Sequence, residues 1–199
     1  MSGTEAAAEE LRTLSASWGA PCDAGTAASL LRYAALLVSW NERINLTGAR
    51  SPAAVVTDHY PDAFALARRL DGPRRVVDVG SGGGLPAIPL AVLRPALTLT
   101  LVEPIAKKVA FLRTAIRELD LSARVSLEAG RAGALIPGDF DAAVSRATFA
   151  PEDWVVLGRQ LVRPGGRVYV LTVPGSAAAS LGETETYLDR RRVLVEVPV

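Results

Sequence analysis

Thiols are nearly missing from this 199-residue chain, whose only cysteine is Cys22. A single cysteine forms no internal disulfide and excludes a cysteine-based zinc site. A nucleophilic thiol would need a basic partner, and His59 is the only histidine. Cys22 lies in Gly19-Ala20-Pro21-Cys22-Asp23, a turn between helical stretches, and reads as an ordinary residue. No apolar run approaches the roughly 18 residues of a membrane-spanning helix. The first eleven residues are polar and carry Glu5, Glu9 and Glu10, unlike a secretory signal. A cytoplasmic protein with no membrane partner is expected. Excess charge of either sign is missing too: 22 Lys+Arg face 21 Asp+Glu, a formal charge of +1. That balance argues against a general nucleic-acid coat, which needs a broad basic surface, but leaves room for a local patch. Lysine is rare: Lys107 and Lys108 are the only two, so the remaining 20 of the 22 basic residues are arginines. With 49% hydrophobic and 22% charged residues, the composition is that of a folded domain.

Residues 5–70 read as helical. Leu30, Ala34, Leu37 and Val38 recur at helical spacing behind Asp23, a suitable cap, and Ser51-Pro52 predicts the start of another helix. That helix runs through Ala63 and Ala67 to a break at Asp71-Gly72-Pro73. Beyond Arg75 short apolar strands alternate with helices. The strand candidates are Val76–Val79, Leu97–Val102, Arg124–Leu127, Phe140–Val144 and Gly166–Leu171, the last after a turn at Pro164-Gly165. Val109, Leu112, Ile116 and Leu119 share one helical face. Residues 183–199 predict a hairpin turning near Asp189-Arg190. Strand–helix alternation of this kind implies an α/β, doubly wound, mostly parallel sheet. One structural unit is expected: a helical extension over 1–70 packed on a core over 71–199.

Asp78-Val79-Gly80-Ser81-Gly82-Gly83-Gly84 follows the first strand and precedes a helix. Glycines there permit a sharp turn and let a ligand press against main-chain amides. Glu103 ends the second strand, where an acid can accept hydrogen bonds from both ribose hydroxyls of a nucleoside cofactor. Two better-known loops do not fit. A dinucleotide fingerprint would need glycine at position 85, which is Leu85, and no Lys-Ser or Lys-Thr follows for a triphosphate loop. The spacing Asp78-x-Gly80-x-Gly82-x-Gly84 instead resembles the first motif of class I S-adenosylmethionine methyltransferases, in which Glu103 would hold the ribose.

The resemblance narrows on a longer set of residues. Asp78 through Ala91, Arg94-Pro95, Ala106-Lys107-Lys108-Val109-Ala110-Phe111-Leu112 and Phe140-Asp141 through Ser145-Arg146-Ala147 are joined upstream by two boxes. These are Trp40-Asn41 with Asn45-Leu46-Thr47, and His59-Tyr60-Pro61-Asp62. Together, over about residues 30–172, they resemble the glucose-inhibited division protein B family, the bacterial small-subunit rRNA guanine-N7 methyltransferases. The tryptophan–asparagine box discriminates best, because it lies outside the shared cofactor fold. The resemblance implies a seven-stranded, Rossmann-like sheet that binds S-adenosylmethionine and methylates 16S (small-subunit) rRNA. It places Asp78, Gly80, Gly82, Gly84, Leu85, Glu103, Ala132, Gly133 and Arg146 around the cofactor. Lys107, Arg131 and Arg146 would face RNA. A monomer without metal is expected.

Chemistry and composition are consistent with that expectation. Guanine N7 carries an in-plane lone pair and no proton, so methyl transfer needs positioning rather than a general base, and no catalytic acid or base is assigned. After the fourth strand comes Ser145-Arg146-Ala147, where methyltransferases of exocyclic amines carry Asn/Asp-Pro-Pro-aromatic. His59 reads as a structural, hydrogen-bonded histidine. Trp40, Asn41 and Asn45 fit either a cap that pins the helical layer or a substrate role. Residues 104–131 and 159–192 each hold six basic against three acidic residues, which predicts a local RNA grip with few phosphate contacts. Three departures from the family mark a divergent member. Arg131-Ala132-Gly133 stands where the family has Arg-Val-Glu, and the long helix after the fifth strand is shortened or absent. Ala63 replaces a serine after His59-x-x-Asp62. Methylation of another RNA or of a small molecule, or a cofactor-binding module without activity, are the alternatives.

Overall fold

The computed structural model describes residues 3–72 and 74–199. Pro73, part of the expected helix break, lies outside them. Three helices come first: α1 (Gly3–Ser17), α2 (Ala24–Asn41) and α3 (Pro52–Arg69). The Asp23 carboxylate accepts from the Thr26 amide at 2.7 Å, and the Ser51 hydroxyl accepts from the Ala54 amide at 3.1 Å. Both caps satisfy amides that the first helical turn leaves without partners. The alternating part follows as β1 (Arg74–Val79), α4 (Ala87–Leu93), β2 (Leu97–Val102), α5 (Ala106–Glu118), β3 (Val125–Glu128), β4 (Phe140–Arg146), α6 (Pro151–Leu161), β5 (Val162–Thr172), β6 (Glu183–Tyr187) and β7 (Arg192–Pro198).

The seven strands form one sheet in the order β3-β2-β1-β4-β5-β7-β6. β1 to β5 run parallel, and β7 pairs antiparallel with both β5 and β6. The order reverses between β1 and β4, the place where doubly wound sheets open a crevice at the carboxyl ends of their strands. Each expected strand is present, with one difference. Pro164-Gly165 does not precede β5 but lies within it, where pairing with β4 jumps from Phe140↔Val162 to Ala142↔Arg167. Proline cannot donate to a ladder, so the strand accommodates it as an irregularity.

Two apolar clusters sandwich the sheet. Leu11, Leu30, Leu37, Phe64 and Leu66 of the three leading helices share one with Leu99 and Leu101 of β2. The other joins Val77 and Val79 of β1, Trp154 of α6, Val168 and Val170 of β5, and Val195 of β7. The helix expected to be shortened after β5 is a single 3₁₀ turn, Ala177–Ser180, whose fully buried Ala178 belongs to the second cluster. Trp18 meets Tyr187 edge-on at 5.6 Å, tying the start of the chain to the carboxy-terminal hairpin. Among the described residues no helix is long and apolar enough to cross a membrane.

Candidate functional site

At the β1/β4 switch an apolar cavity of about 350 Å³ opens beside Gly80, Val102, Pro104, Arg131, Ala132 and Gly133. Ligand pockets typically span about 300–1,000 Å³, so the cavity is of ligand size. Gly80 brings the start of the glycine loop to its wall. The Gly80 and Ser81 amides donate to the Val102 carbonyl at 2.9 and 3.1 Å, which anchors the loop on β2. Gly80 has φ +78°, and a Cβ there would land inside the Thr148 side chain. Conformation and space both require glycine. Gly84, also at φ +78°, is required for packing, since its Cβ would come 2.6 Å from Ile88. The Tyr33 hydroxyl donates to the Gly83 carbonyl, so α2 grips the loop from behind.

Glu103 is buried, with 2% exposure, and grips main chain with both oxygens. Oε2 accepts from the Gly82 amide at 2.8 Å and Oε1 from the Ile105 amide at 2.9 Å. It therefore braces the glycine loop against the β2–α5 turn, and each oxygen keeps a lone pair for a further donor. Asp78, next to last in β1, is also buried, and its Oδ2 has no partner among the described residues. Burial, reinforced by nearby Glu103 and opposed by the Ser81 hydroxyl and Arg146, pushes its carboxyl up to about 7. An orphaned buried carboxylate oxygen beside a glycine cradle suits a cofactor that presents an ammonium group.

Arg146 sits at the end of β4, on the wall of a neighbouring cavity rather than of this one. Its guanidinium donates to Asp62 Oδ2 at 2.9 Å and lies 3.2 Å from His59 Nδ1. Since a guanidinium only donates, His59 Nδ1 is the acceptor and the Nε2 proton goes to Thr47 Oγ1, 2.7 Å away. Burial first, then the Arg146 charge, hold the imidazole down at about 4, so it is neutral near pH 7. Asp62 is fully buried and accepts from the Tyr187 hydroxyl at 2.6 Å through Oδ1. One carboxylate of α3 thus joins β4 to β6.

The tryptophan–asparagine box shapes the α2–α3 loop. Asn41 Oδ1 accepts from the Leu46 and Thr47 amides at 2.8 and 3.0 Å, while Nδ2 donates to the Thr47 carbonyl at 2.8 Å. The turn thereby presents Thr47 to His59 and lays Leu46 against Gly83. Trp40 packs edge-on against Phe111 at 5.6 Å, and Asn45 is exposed. The expected site residues divide accordingly. Gly80, Arg131, Ala132 and Gly133 line the cavity; Gly82, Gly84, Leu85, Asp78 and Glu103 form or brace its loop without lining it. Lys107 is exposed on the first turn of α5. Thr148, Phe149 and Pro104 line the cavity and were missed from sequence; only their closeness to the ends of β4 and β2 signals them. Among the described residues no group of three or more His, Cys, Asp or Glu side chains could hold a metal ion.

Solved structures show the fold. A tRNA (m1A58) methyltransferase from Aquifex aeolicus superposes with a TM-score of 0.53 at 16% identity, over 68% of this chain and 66% of that one. A SAM-dependent methyltransferase from Thiobacillus denitrificans, solved with S-adenosyl-L-homocysteine, gives 0.53 at 17% identity, over 72% and 60%. The fold is that of the class I S-adenosylmethionine-dependent methyltransferases. At the level of sequence, a family model described as rRNA small subunit methyltransferase G matches residues 26–187. A Ribosomal RNA small subunit methyltransferase G from Anaeromyxobacter sp. (strain Fw109-5) is 43% identical over 145 residues, 71% of this chain and 67% of the relative. One from Xanthomonas oryzae pv. oryzae (strain MAFF 311018) is 44% identical over 151 residues, 75% of this chain and 70% of the relative. The chain belongs to the rRNA small subunit methyltransferase G family.

Proposed function

We propose that the protein transfers a methyl group from S-adenosylmethionine to N7 of one guanosine in 16S rRNA, as a cytoplasmic monomer. The observation that carries this is a ligand-sized cavity at the sheet's switch point, built on the Asp78–Gly84 loop, in a chain of this family. When bound, the cofactor supplies an electrophilic methyl on a sulfonium. Gly80, Ala132 and Gly133 give it a close main-chain surface, Glu103 offers free lone pairs to its ribose, and Asp78 pairs with its ammonium. Arg131, Lys107 and Arg146 contact RNA. Guanine N7 would take the methyl through its own lone pair, and the electrons of the carbon–sulfur bond would leave with sulfur. No proton leaves N7, so the protein's task is to align the two partners and exclude water. Neutral His59, with its only N–H committed to Thr47, does no proton work. Incubation with labelled cofactor and small subunits lacking the modification tests the reading: label at guanine N7 is expected, and unlabelled rRNA beside an active relative overturns it.

Asp78 begins near 7, and pairing with an ammonium favours its ionised form. Cofactor affinity should therefore rise as pH climbs through about 7, with a proton released on binding, and Asp78→Asn should flatten the rise. Stability runs the opposite way. A raised carboxyl stabilises the fold below its ordinary pKa, and that contribution is lost as pH rises through about 7. Titration calorimetry in buffers of different ionisation enthalpy reads the proton. For Gly133, a Cβ meets no atom within 4 Å. Gly133→Glu should fold normally and tighten cofactor binding by roughly 2–10-fold, the effect of one added hydrogen bond to the adenine edge; unchanged or weaker binding refutes this.

A further inference from the structure

The cofactor cavity does not end blindly. Phe149 lines it and also lines a second cavity of about 250 Å³, bounded by Arg146, Thr172 and Arg192. Arg192 and Val173 in turn line a third, of about 510 Å³, that includes Gly48, His59 and Arg191. We propose that the second and third cavities are the path of the RNA. A flipped-out guanine enters the second with Phe149 as its stacking wall, and a phosphate beside it lies in the third between Arg191 and Arg192.

Phe149 is unusual for an apolar ring in being 37% exposed. It is held in place from behind, stacked on Trp154 at 5.7 Å and 17°. Trp154 is fixed in turn by its indole N–H, which donates to the Tyr169 carbonyl at 2.9 Å. A ring immobilised in this way loses little freedom when a base lies against it. Its position between the two cavities puts the base next to the methyl donor. A base taken out of its stack must be received by such a surface, because unstacking is costly. In the third cavity, Arg191 uses Nε on the Leu188 carbonyl, at 3.2 Å, and keeps its terminal nitrogens. The Arg192 guanidinium has no hydrogen bond or ion pair among the described residues. Asp58 is the single carboxylate on that wall, so the balance there is positive.

This inference rests on the rRNA reading above, and its test separates the two. Steady-state methylation of small subunits is compared for wild type, Phe149→Ala, Phe149→Trp and Arg191→Gln, alongside direct titration of each with S-adenosylmethionine. Phe149→Ala should raise KM for subunits by roughly 5–150-fold, the range for one stacked base. With KM read at saturating cofactor, the loss of affinity for the cofactor, whose cavity the ring also lines, should be several-fold smaller than the rise in KM, and Phe149→Trp should restore KM. Arg191→Gln should lower the slope of log kcat/KM against log salt by about one, the signature of one lost phosphate contact. If the Phe149→Ala loss in cofactor affinity equals the rise in KM, or KM does not move, the ring is only a wall of the cofactor cavity and the stacking role is overturned. An unchanged salt slope removes the phosphate from the third cavity. If wild type labels no subunits, the rRNA reading falls. The base cavity is then read by titrating guanosine 5′-monophosphate into protein saturated with S-adenosylhomocysteine. Binding lost in Phe149→Ala supports the proposal; equal binding in both, or none in wild type, overturns it.

Discussion

Asp62→Ala is expected to abolish methyl transfer and to lower stability by about 3–5 kcal/mol, the usual cost of removing one partner from a buried ion pair. The carboxylate is fully buried and serves Arg146 and Tyr187 together. Without it a guanidinium only 17% exposed and a buried hydroxyl both lack their partner. For a chain of this length, thermal unfolding should come about 6–20 °C earlier. The triple variant Asp62→Leu, Arg146→Met, Tyr187→Phe removes the stranded groups as well, so much of the lost stability should return while activity stays absent. Differential scanning calorimetry and the subunit assay read the two effects separately. A stable, active Asp62→Ala protein would show that the pair neither holds β6 nor aims Arg146.

Gly80→Ala is the second large effect. At φ +78° a Cβ costs about 1–2 kcal/mol before any contact is counted, and here it also meets Thr148. Cofactor affinity should drop by roughly 10–100-fold, since the new methyl occupies the surface that the ligand must approach. Adding Thr148→Gly should recover the stability lost to the clash but not the affinity. Recovery of both would mean that the glycine serves packing alone.

The strands could be read from sequence because they are short apolar runs ending at recognisable turns, and Asp23 and Ser51 announced their helices by residue type alone. The glycine loop was equally plain. The Asp62–Arg146–Tyr187 constellation was not, since its members are 84 and 125 residues apart and no periodicity records which end of a strand meets which helix. Glu103 was placed correctly as an acid at the end of β2, yet its hold on two backbone amides belongs to the folded loop. Pro164-Gly165 looked like a turn because proline and glycine usually make one; inside a sheet the same pair yields an irregularity in the ladder.

The sheet order has a consequence for assembly. β7 lies between β5 and β6, so β6 cannot join the sheet until residues 192–198 are in place. Tyr187, at the end of β6, therefore reaches Asp62 only after the whole sheet has closed. The glycine loop, held by the Val102 carbonyl of β2 and the Tyr33 hydroxyl of α2, has no such dependence. The hold on Arg146 thus depends on an edge strand at the far end of the sheet, so loosening β6 alone would free Asp62 from Tyr187 while leaving the glycine loop's own contacts in place.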